Sequence, residues 1–541
     1  MTQPFKILAA DKLADEGLAY IRAQDDAELT DRPGISEQEL ASIVGTFDGL
    51  IVRSGVQVSA EVFAKSGQLK AVARAGVGVD NIDLSAATEA GVLVMNSAEA
   101  STVTTAEHAF ALMLALARHI GPAYKTMTEG RWERQAFQGT QLAGKTLGIV
   151  GFGRIGQAVA QRALAFDMKV IAHDPFINTP TMLDGTVKMY RNFMQMLPHA
   201  DVVSFHVPLN NETRGMLDAQ AFSKYAKKGV LVVNASRGGI VDEQALLVAI
   251  DKGQCGGAAL DVFSIEPPPA DNGPRGDPSL RNHPKILTTP HLGASTIEAQ
   301  EAVSTDAAVA LMEFLRGHGV RGAVNVSDLR MDLDTLQQRF VDLAQRMARL
   351  VNPMLCGGIM GVTLELAGEA LTAAEVTIER MALIGLLQPH MDARLNLVNV
   401  RHLAEQRGIH LRTVRIDEQQ IHGPQMALDV ECPDRTHRIV GCVYSDMQPR
   451  VVEINGYRMD MIPAGNMILI SNDDRPGMIG VVGTEFGNAN VNIADMTLSR
   501  RDKRALMLLN VDDDLPQALI DGLAKRSGIL KVAVVRLPKR D

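Results

Sequence analysis

The chain has 541 residues, long enough for three or four domains that each bury a core, and its formal net charge is −9. That balance argues against a general electrostatic partnership with nucleic acid or an anionic membrane surface. The N-terminus lacks signal-peptide grammar, the most apolar helical stretch (109–117) is too short for a bilayer, and Cys255, Cys356, Cys432 and Cys442 show no pairing or metal-ligand spacing, so a cytoplasmic protein without disulfides or a metal is expected.

Residues 6–10, 49–53, 69–74 and 92–96 read as short buried strands separated by segments of crossover length, a small parallel α/β unit. Two of these strands end in a basic residue followed by small ones, Arg53-Ser54-Gly55 and Arg74-Ala75-Gly76. Parallel sheets present ligands at the carboxyl ends of their strands, and two arginines at equivalent ends point to an anion. Residues 101–120 read as one long helix joining this unit to the next, with His108 as a satisfied core histidine. Arg131, Trp132, Glu133 and Arg134 follow in a polar loop that holds the chain's single tryptophan, the composition of an interface element.

Residues 145–175 organise the chain. A β-branched and apolar strand (146–150) runs into Gly151, Gly153 and Gly156, a GxGxxG at the start of helical periodicity. Gly151 suits a tight turn, Gly153 leaves room for a pyrophosphate against the main chain, and Gly156 lets the helix lie close to the strand. Free amides at the helix N-terminus would face the phosphates. A second strand (168–172) leads to Asp174, placed for a carboxylate that grips ribose hydroxyls and repels a 2′-phosphate, which favours NAD over NADP.

Further strands at 202–207, 230–234, 258–262 and 286–289 each stop at polar or glycine-rich residues. Arg237, Glu266 and His291 all fall beyond the carboxyl ends of these strands, on the edge where the cofactor lies. Prolines 267–269 are expected to hold Glu266 in an extended loop. A guanidinium, a carboxylate and an imidazole beside a nicotinamide form the inventory needed to oxidise an alcohol next to a carboxylate.

With RAGVGVDNID (74–83), GKTLGIVGFGRIG (144–156), NASRGGIVDE (234–243), ALDVFSIEPP (259–268) and PHLGAST (290–296), the sequence resembles the D-isomer-specific 2-hydroxy-acid dehydrogenases, in their long form. The resemblance implies an α/β fold of two Rossmann-like lobes. A discontinuous substrate lobe, residues 1–98 and 293–320, would surround an inserted NAD lobe, 99–292. By the same resemblance His291 takes the proton of the substrate C2 hydroxyl, Glu266 orients the imidazole and raises its pKa, and Arg237 binds the substrate carboxylate. It implies cofactor contacts from Gly151, Gly153, Arg154, Ile155, Gly156, Asp174, Ala235, Asp261 and Gly293. Arg53, Ser54 and Arg74 would form the phosphate and carboxylate side of the substrate pocket, and Arg134 would reach a neighbouring subunit's site. Val77 and Val207 depart from the family, standing where a threonine often helps to hold the cofactor, so neither is carried as a polar contact.

Beyond residue 327 the dehydrogenase grammar ends. Residues 329–350 are amphipathic, and residues 327–460, with strands at 361–367 and 439–443, resemble an α+β intervening regulatory domain. Residues 464–541, with strands at 466–471, 490–500 and 505–511 and a helix opened by DRPGMIG, resemble an ACT domain, a βαββαβ module that binds amino acids at subunit interfaces or serves dimerisation alone. Its effector positions would be Asn472, Asp474 and Asn492, with Asp474 departing from the asparagine expected for serine. The whole implies NAD-dependent oxidation of a phosphorylated 2-hydroxy acid, D-3-phosphoglycerate, by a homo-oligomer at the head of L-serine synthesis. The rival readings are a glyoxylate or hydroxypyruvate reductase, which lacks such a tail, and a non-catalytic NAD sensor, which has no need of the acid–base pair.

Overall fold

The computed structural model describes residues 3–266, 279–355, 357–391, 394–416 and 423–539; the proline run expected to hold Glu266, and Cys356, lie outside them. The first sheet is parallel, in the order Ala27–Asp31, Phe5–Ala9, Gly49–Val52, Ala71–Arg74, Leu93–Asn96. Its edge strand Ala27–Asp31 escaped the sequence reading because none of its residues is fully buried, so it carries no apolar run. Helix Ile297–Leu315 returns from the far side of the second lobe and places Ala308 and Leu311 in one core with Ile7 and Ile51. The approach is close enough that a Cβ on Gly49 would stand 2.8 Å from the Leu311 side chain. The return runs past residue 320: Ala323 bridges Met95, and the Asn325 side chain accepts the Val94 amide.

The inserted lobe has an eight-stranded sheet in the order Ile286–Thr288, Cys255–Leu260, Val230–Asn234, Val202–Phe205, Thr146–Val150, Lys169–His173, Val187–Tyr190, Thr181–Met182, with only the last strand antiparallel. The chain runs outward from Thr146–Val150, then returns to lay Val202–Phe205 on its other side. That reversal opens a crevice at the carboxyl ends of the strands, the place where open α/β sheets bind ligands. The outer hairpin at 181–190 was not anticipated from sequence. The expected single helix at 101–120 is two helices, Thr102–Ala117 and Ile120–Thr128, because His119 takes a left-handed conformation (φ 53°) and turns the chain.

Helix Thr335–Val351 starts at a capping box in which Asp334 accepts the Gln337 amide and the Gln337 side chain accepts the Asp334 amide. Its apolar stripe, with helix Glu375–Leu387, covers a mixed six-stranded sheet containing Gly361–Ala367 and Thr436–Val443. The last unit runs Asn466–Asp473, Met478–Asn488, Ile493–Arg501, Arg504–Val511, Gln517–Ala524, Ile529–Arg536, a βαββαβ order folded as one antiparallel sheet. Alternate residues of Asn466–Asp473 face opposite ways: Met467 and Leu469 join the preceding unit's core, while Ile468 and Ile470 pack under this unit's own helices. No helix among the described residues is long and apolar enough to cross a membrane.

Candidate active site

The three fingerprint glycines differ in what surrounds them. Gly151 has φ 87°, and a Cβ there would stand 2.4 Å from the His206 carbonyl. A Cβ on Gly156 would stand 2.1 Å from the Gly151 carbonyl, while one on Gly153 would meet nothing within 4 Å. The open position is the N-cap of helix Arg154–Ala165, where no side chain caps the free amides. A helix end that is clear of side chains and carries partial positive charge is a phosphate cradle. Asp174, one residue past strand Lys169–His173, accepts the Phe152 and Phe176 amides at 2.9 Å each, which fixes it beside the glycine turn. Arg154 reaches outward to Glu99 at 2.6 Å, and Ile155 packs into the lobe core.

On the same edge of the sheet, Glu266 Oε2 lies 2.7 Å from His291 Nδ1, and its Oε1 accepts the Phe263 amide at 2.9 Å. Burial pushes the Glu266 carboxyl up, but the hydrogen bonds from His291 and the Phe263 amide outweigh it and hold the group below the ordinary carboxylate range. The Glu266 hydrogen bond raises His291 above the usual imidazole value against a smaller opposing effect of burial. Nε2 is the ring nitrogen not engaged by Glu266, and a cavity of about 450 Å³ opens beside the pair. His291 itself is left-handed (φ 55°).

Asp261 holds that loop. Its carboxylate, fully buried, accepts the Leu292 amide (2.8 Å), the Gly293 amide (2.9 Å) and the Thr289 hydroxyl (2.6 Å), and lies 3.1 Å from His108 Nε2. Burial would raise its pKa, yet His108, Thr289 and the Leu292 amide together lower it. His108 is thus a satisfied histidine, as expected, but one that sits behind the reactive loop. Ala235 is buried at the head of the neighbouring loop.

Arg237 spans the two lobes. Its Nε donates to Asp80 of the first lobe at 2.9 Å and its Nη1 to the Ser236 carbonyl at 2.6 Å. Gly78 makes this possible, since a Cβ there would fall 1.6 Å from Arg237 Nη2. Gly76 likewise gives room to Arg74, whose Nη1 would be 1.8 Å from such a Cβ. Gly238, next to Arg237, abuts the Phe263 carbonyl at 1.9 Å from its own virtual Cβ, so the Arg237 loop and the Glu266 turn interlock. Arg74 is mostly buried with no partner for its Nε, and burial, helped by repulsion from Arg237 and Arg53, brings its pKa down to about 10. Asp80 and Asp11 offset part of that repulsion, and an unpartnered guanidinium nitrogen beside two further guanidiniums favours an anion. Arg53 donates to the Lys12 carbonyl at 3.1 Å and Ser54 is exposed beside it.

Two groups of expected residues are not brought together. Arg134 is exposed in a short 3₁₀ turn and makes no ion pair among the described residues. In the last unit Asn472 is buried with its Oδ1 unpartnered and Asp474 is held by both Nε and Nη2 of Arg500 at 2.8 Å, whereas Asn492 bonds Asp512 at the opposite end of the sheet. One chain therefore does not assemble these three into a single pocket. The sequence reading missed Asp80 and the loop action of Asp261; the glycine pair Gly76 and Gly78 directly after a basic strand end was the available signal for the former.

Known proteins bear on this geometry. Residues 110–293 match the family description "D-isomer specific 2-hydroxyacid dehydrogenase, NAD binding domain", and residues 336–455 match "D-3-phosphoglycerate dehydrogenase intervening domain". The chain is 37% identical over 98% of its length to all of an Archaeoglobus fulgidus protein named D-3-phosphoglycerate dehydrogenase, and 36% identical over 99% to all of the Bacillus subtilis protein of that name. Among solved structures, a Thermus thermophilus protein (34% identity, TM-score 0.53) covers 59% of this chain with 99% of its own. A Staphylococcus aureus formate dehydrogenase in complex with NAD (28%, TM-score 0.52) covers 60% of this chain with 99% of its own.

Proposed function

The chain belongs to the D-3-phosphoglycerate dehydrogenases, within the D-isomer-specific 2-hydroxyacid dehydrogenases, and from that premise and the cleft geometry we propose how its own side chains carry the oxidation of D-3-phosphoglycerate to 3-phosphooxypyruvate. This is the first step of phosphorylated L-serine synthesis. NAD, when bound, supplies the hydride acceptor. Arg237 holds the C1 carboxylate and polarises the developing C2 carbonyl through its paired donors. His291 takes the C2 hydroxyl proton at Nε2, and Glu266 at 2.7 Å stabilises the imidazolium so formed. Arg74, Arg53 and Ser54 accept the anionic far end of the substrate.

Gly151, Gly153, Arg154, Ile155 and Gly156 cradle the pyrophosphate, Asp174 grips the ribose, and Ala235 and Gly293 line the nicotinamide side. Asp261, with its carboxylate already engaged by four donors, serves that side by fixing the loop that carries His291 and Gly293. Exposed Ile120, Tyr124 and Met127 form one stripe of helix Ile120–Thr128, beside Trp132, and support a homo-oligomer in which Arg134 serves a partner's cleft. The terminal βαββαβ unit acts as an ACT module, its effector residues converging only across two copies. The protein works in the cytoplasm.

The observation that carries this reading is the buried, unpartnered Nε of Arg74 within electrostatic reach of Arg237, together with the His291–Glu266 pair. NAD reduction with D-3-phosphoglycerate should far outrun that with unphosphorylated D-glycerate. Equal rates would remove the phosphate reading, and no rate with either would remove the dehydrogenase.

A further inference from the structure

Strands Phe5–Ala9, Gly49–Val52 and Ala71–Arg74 lie side by side in the first sheet, and the segments leaving their carboxyl ends carry Asp11, Arg53 and Asn81. Asp11 is 8% exposed and Asn81 9%. Both grip the same two residues of the bend that follows Gly49–Val52. Asp11 Oδ2 accepts the Arg53 amide at 2.7 Å and the Val56 amide at 3.2 Å, while Asn81 Nδ2 donates to the Arg53 and Val56 carbonyls at 2.7 Å each. The two ends of the bend are thereby fixed through every polar main-chain group they have. The Arg53 side chain is tied to the same neighbouring segment, with Nη1 on the Lys12 carbonyl at 3.1 Å.

Between the held ends stand Ser54 and Gly55, both exposed, and their amides have no partner among the described residues. Gly55 is fitted to the clamp, since a Cβ there would stand 2.4 Å from Asp11 Oδ1. Successive unpaired N–H groups in a turn make an anion-binding concavity. The neighbouring strand end adds Arg74, whose buried Nε is also unpartnered and whose charge Asp11 partly offsets. The bend has no main-chain hydrogen bond of its own, so Asp11 and Asn81 supply what holds these amides against the backbone freedom they would otherwise regain.

We propose that Asp11 and Asn81 are positioning residues for the substrate's phosphate, holding the bend so that the Ser54 and Gly55 amides, with Arg53 and Arg74, form one cradle. This rests on the phosphorylated substrate argued above. Both residues act through the bend, so their effect falls on how tightly the far end of the substrate is bound, and hydride transfer at C2 is left to Arg237, His291 and Glu266.

The test is steady-state kinetics of the full chain at saturating NAD, with D-3-phosphoglycerate and with D-glycerate. Asp11→Ala releases both amides and should raise the KM for D-3-phosphoglycerate about tenfold or more, the worth of one charge-assisted hydrogen bond, with kcat within about twofold. The ratio of kcat/KM between the two substrates should fall by the same factor. Asp11→Asn keeps an oxygen for the two amides and should stay within about threefold of wild type. Asn81→Ala should raise the same KM, and it decides where Asp11→Ala fails to fold. A KM unaltered in both alanine variants, an equal loss on both substrates, or Asp11→Asn as impaired as Asp11→Ala would each overturn the proposal. A wild-type enzyme that does not prefer the phosphorylated acid would remove the substrate reading itself, and this cradle with it.

Discussion

His291 occupies a left-handed conformation that costs a residue with a Cβ about 1–2 kcal/mol, so something nearby must hold it there. The holder is Asp261, whose carboxylate takes the two amides that follow His291. Asp261→Asn should lower stability by about 2–4 kcal/mol, because a buried acceptor for several donors is replaced by an amide that repels some of them. It should also lower kcat, and a denaturant midpoint unchanged from wild type would show that the strain is held elsewhere. The His291–Glu266 pair makes a separate statement about pH. Alcohol oxidation needs neutral imidazole, and Glu266 raises the His291 pKa, so kcat/KM for oxidation should climb as pH rises through that elevated value, while the reverse reduction declines. Glu266→Gln removes the stabilising charge and should shift the inflection to lower pH with a smaller kcat; an inflection that stays put would exclude Glu266 as its cause.

At the scale of elements, the loop from Arg74 to Asp80 joins the lobes without a covalent hinge of its own. Gly78 is the point of contact, since Arg237 Nη2 occupies the space of its missing Cβ. Gly78→Ala should displace the guanidinium and raise the KM for D-3-phosphoglycerate about tenfold, roughly the loss of one good charge-assisted contact, while NAD affinity measured by titration stays near wild type. An unchanged KM would mean that Arg237 does not act from this position. The elements that sequence made legible are those whose residues are apolar on both faces or bound by glycines: the inner strands of both lobes, the fingerprint turn with its three differently employed glycines, and the strand ends carrying Arg74, Arg237 and His291. What stayed hidden was marginal or relational. Ala27–Asp31 and the hairpin at 181–190 lie at sheet edges and lack apolar runs, and His119 breaks a helix that its flanking residues would continue. Asp80 and Asp261 look like ordinary carboxylates until the fold supplies their partners, 157 residues away at Arg237 in one case and 31 at Leu292 in the other.

Across the whole molecule, the two C-terminal units are not beads on a string. The terminal sheet buries one face in the intervening unit's core and the other under its own helices, and Arg346 ties both together through the Pro463 and Pro538 carbonyls. A stripe of exposed apolar side chains lies apart from these units, in the helix after His119. Ile120, Tyr124 and Met127 recur at helical spacing and are 56%, 71% and 55% exposed, with Trp132 at 79% just beyond. The left-handed turn at His119 is what swings this stripe away from the core that Thr102–Ala117 occupies. In the homo-oligomer proposed above, a second copy of the chain would cover this stripe. Tyr124→Asp combined with Trp132→Asp would bury two unpaired charges in such an interface. The expected result in light scattering is a halving of the molecular mass with the fold retained by circular dichroism, together with a fall in kcat/KM because Arg134 no longer reaches a neighbouring cleft. An unchanged mass would place the interface on another face, and a halved mass with full activity would leave Arg134 without a part in catalysis.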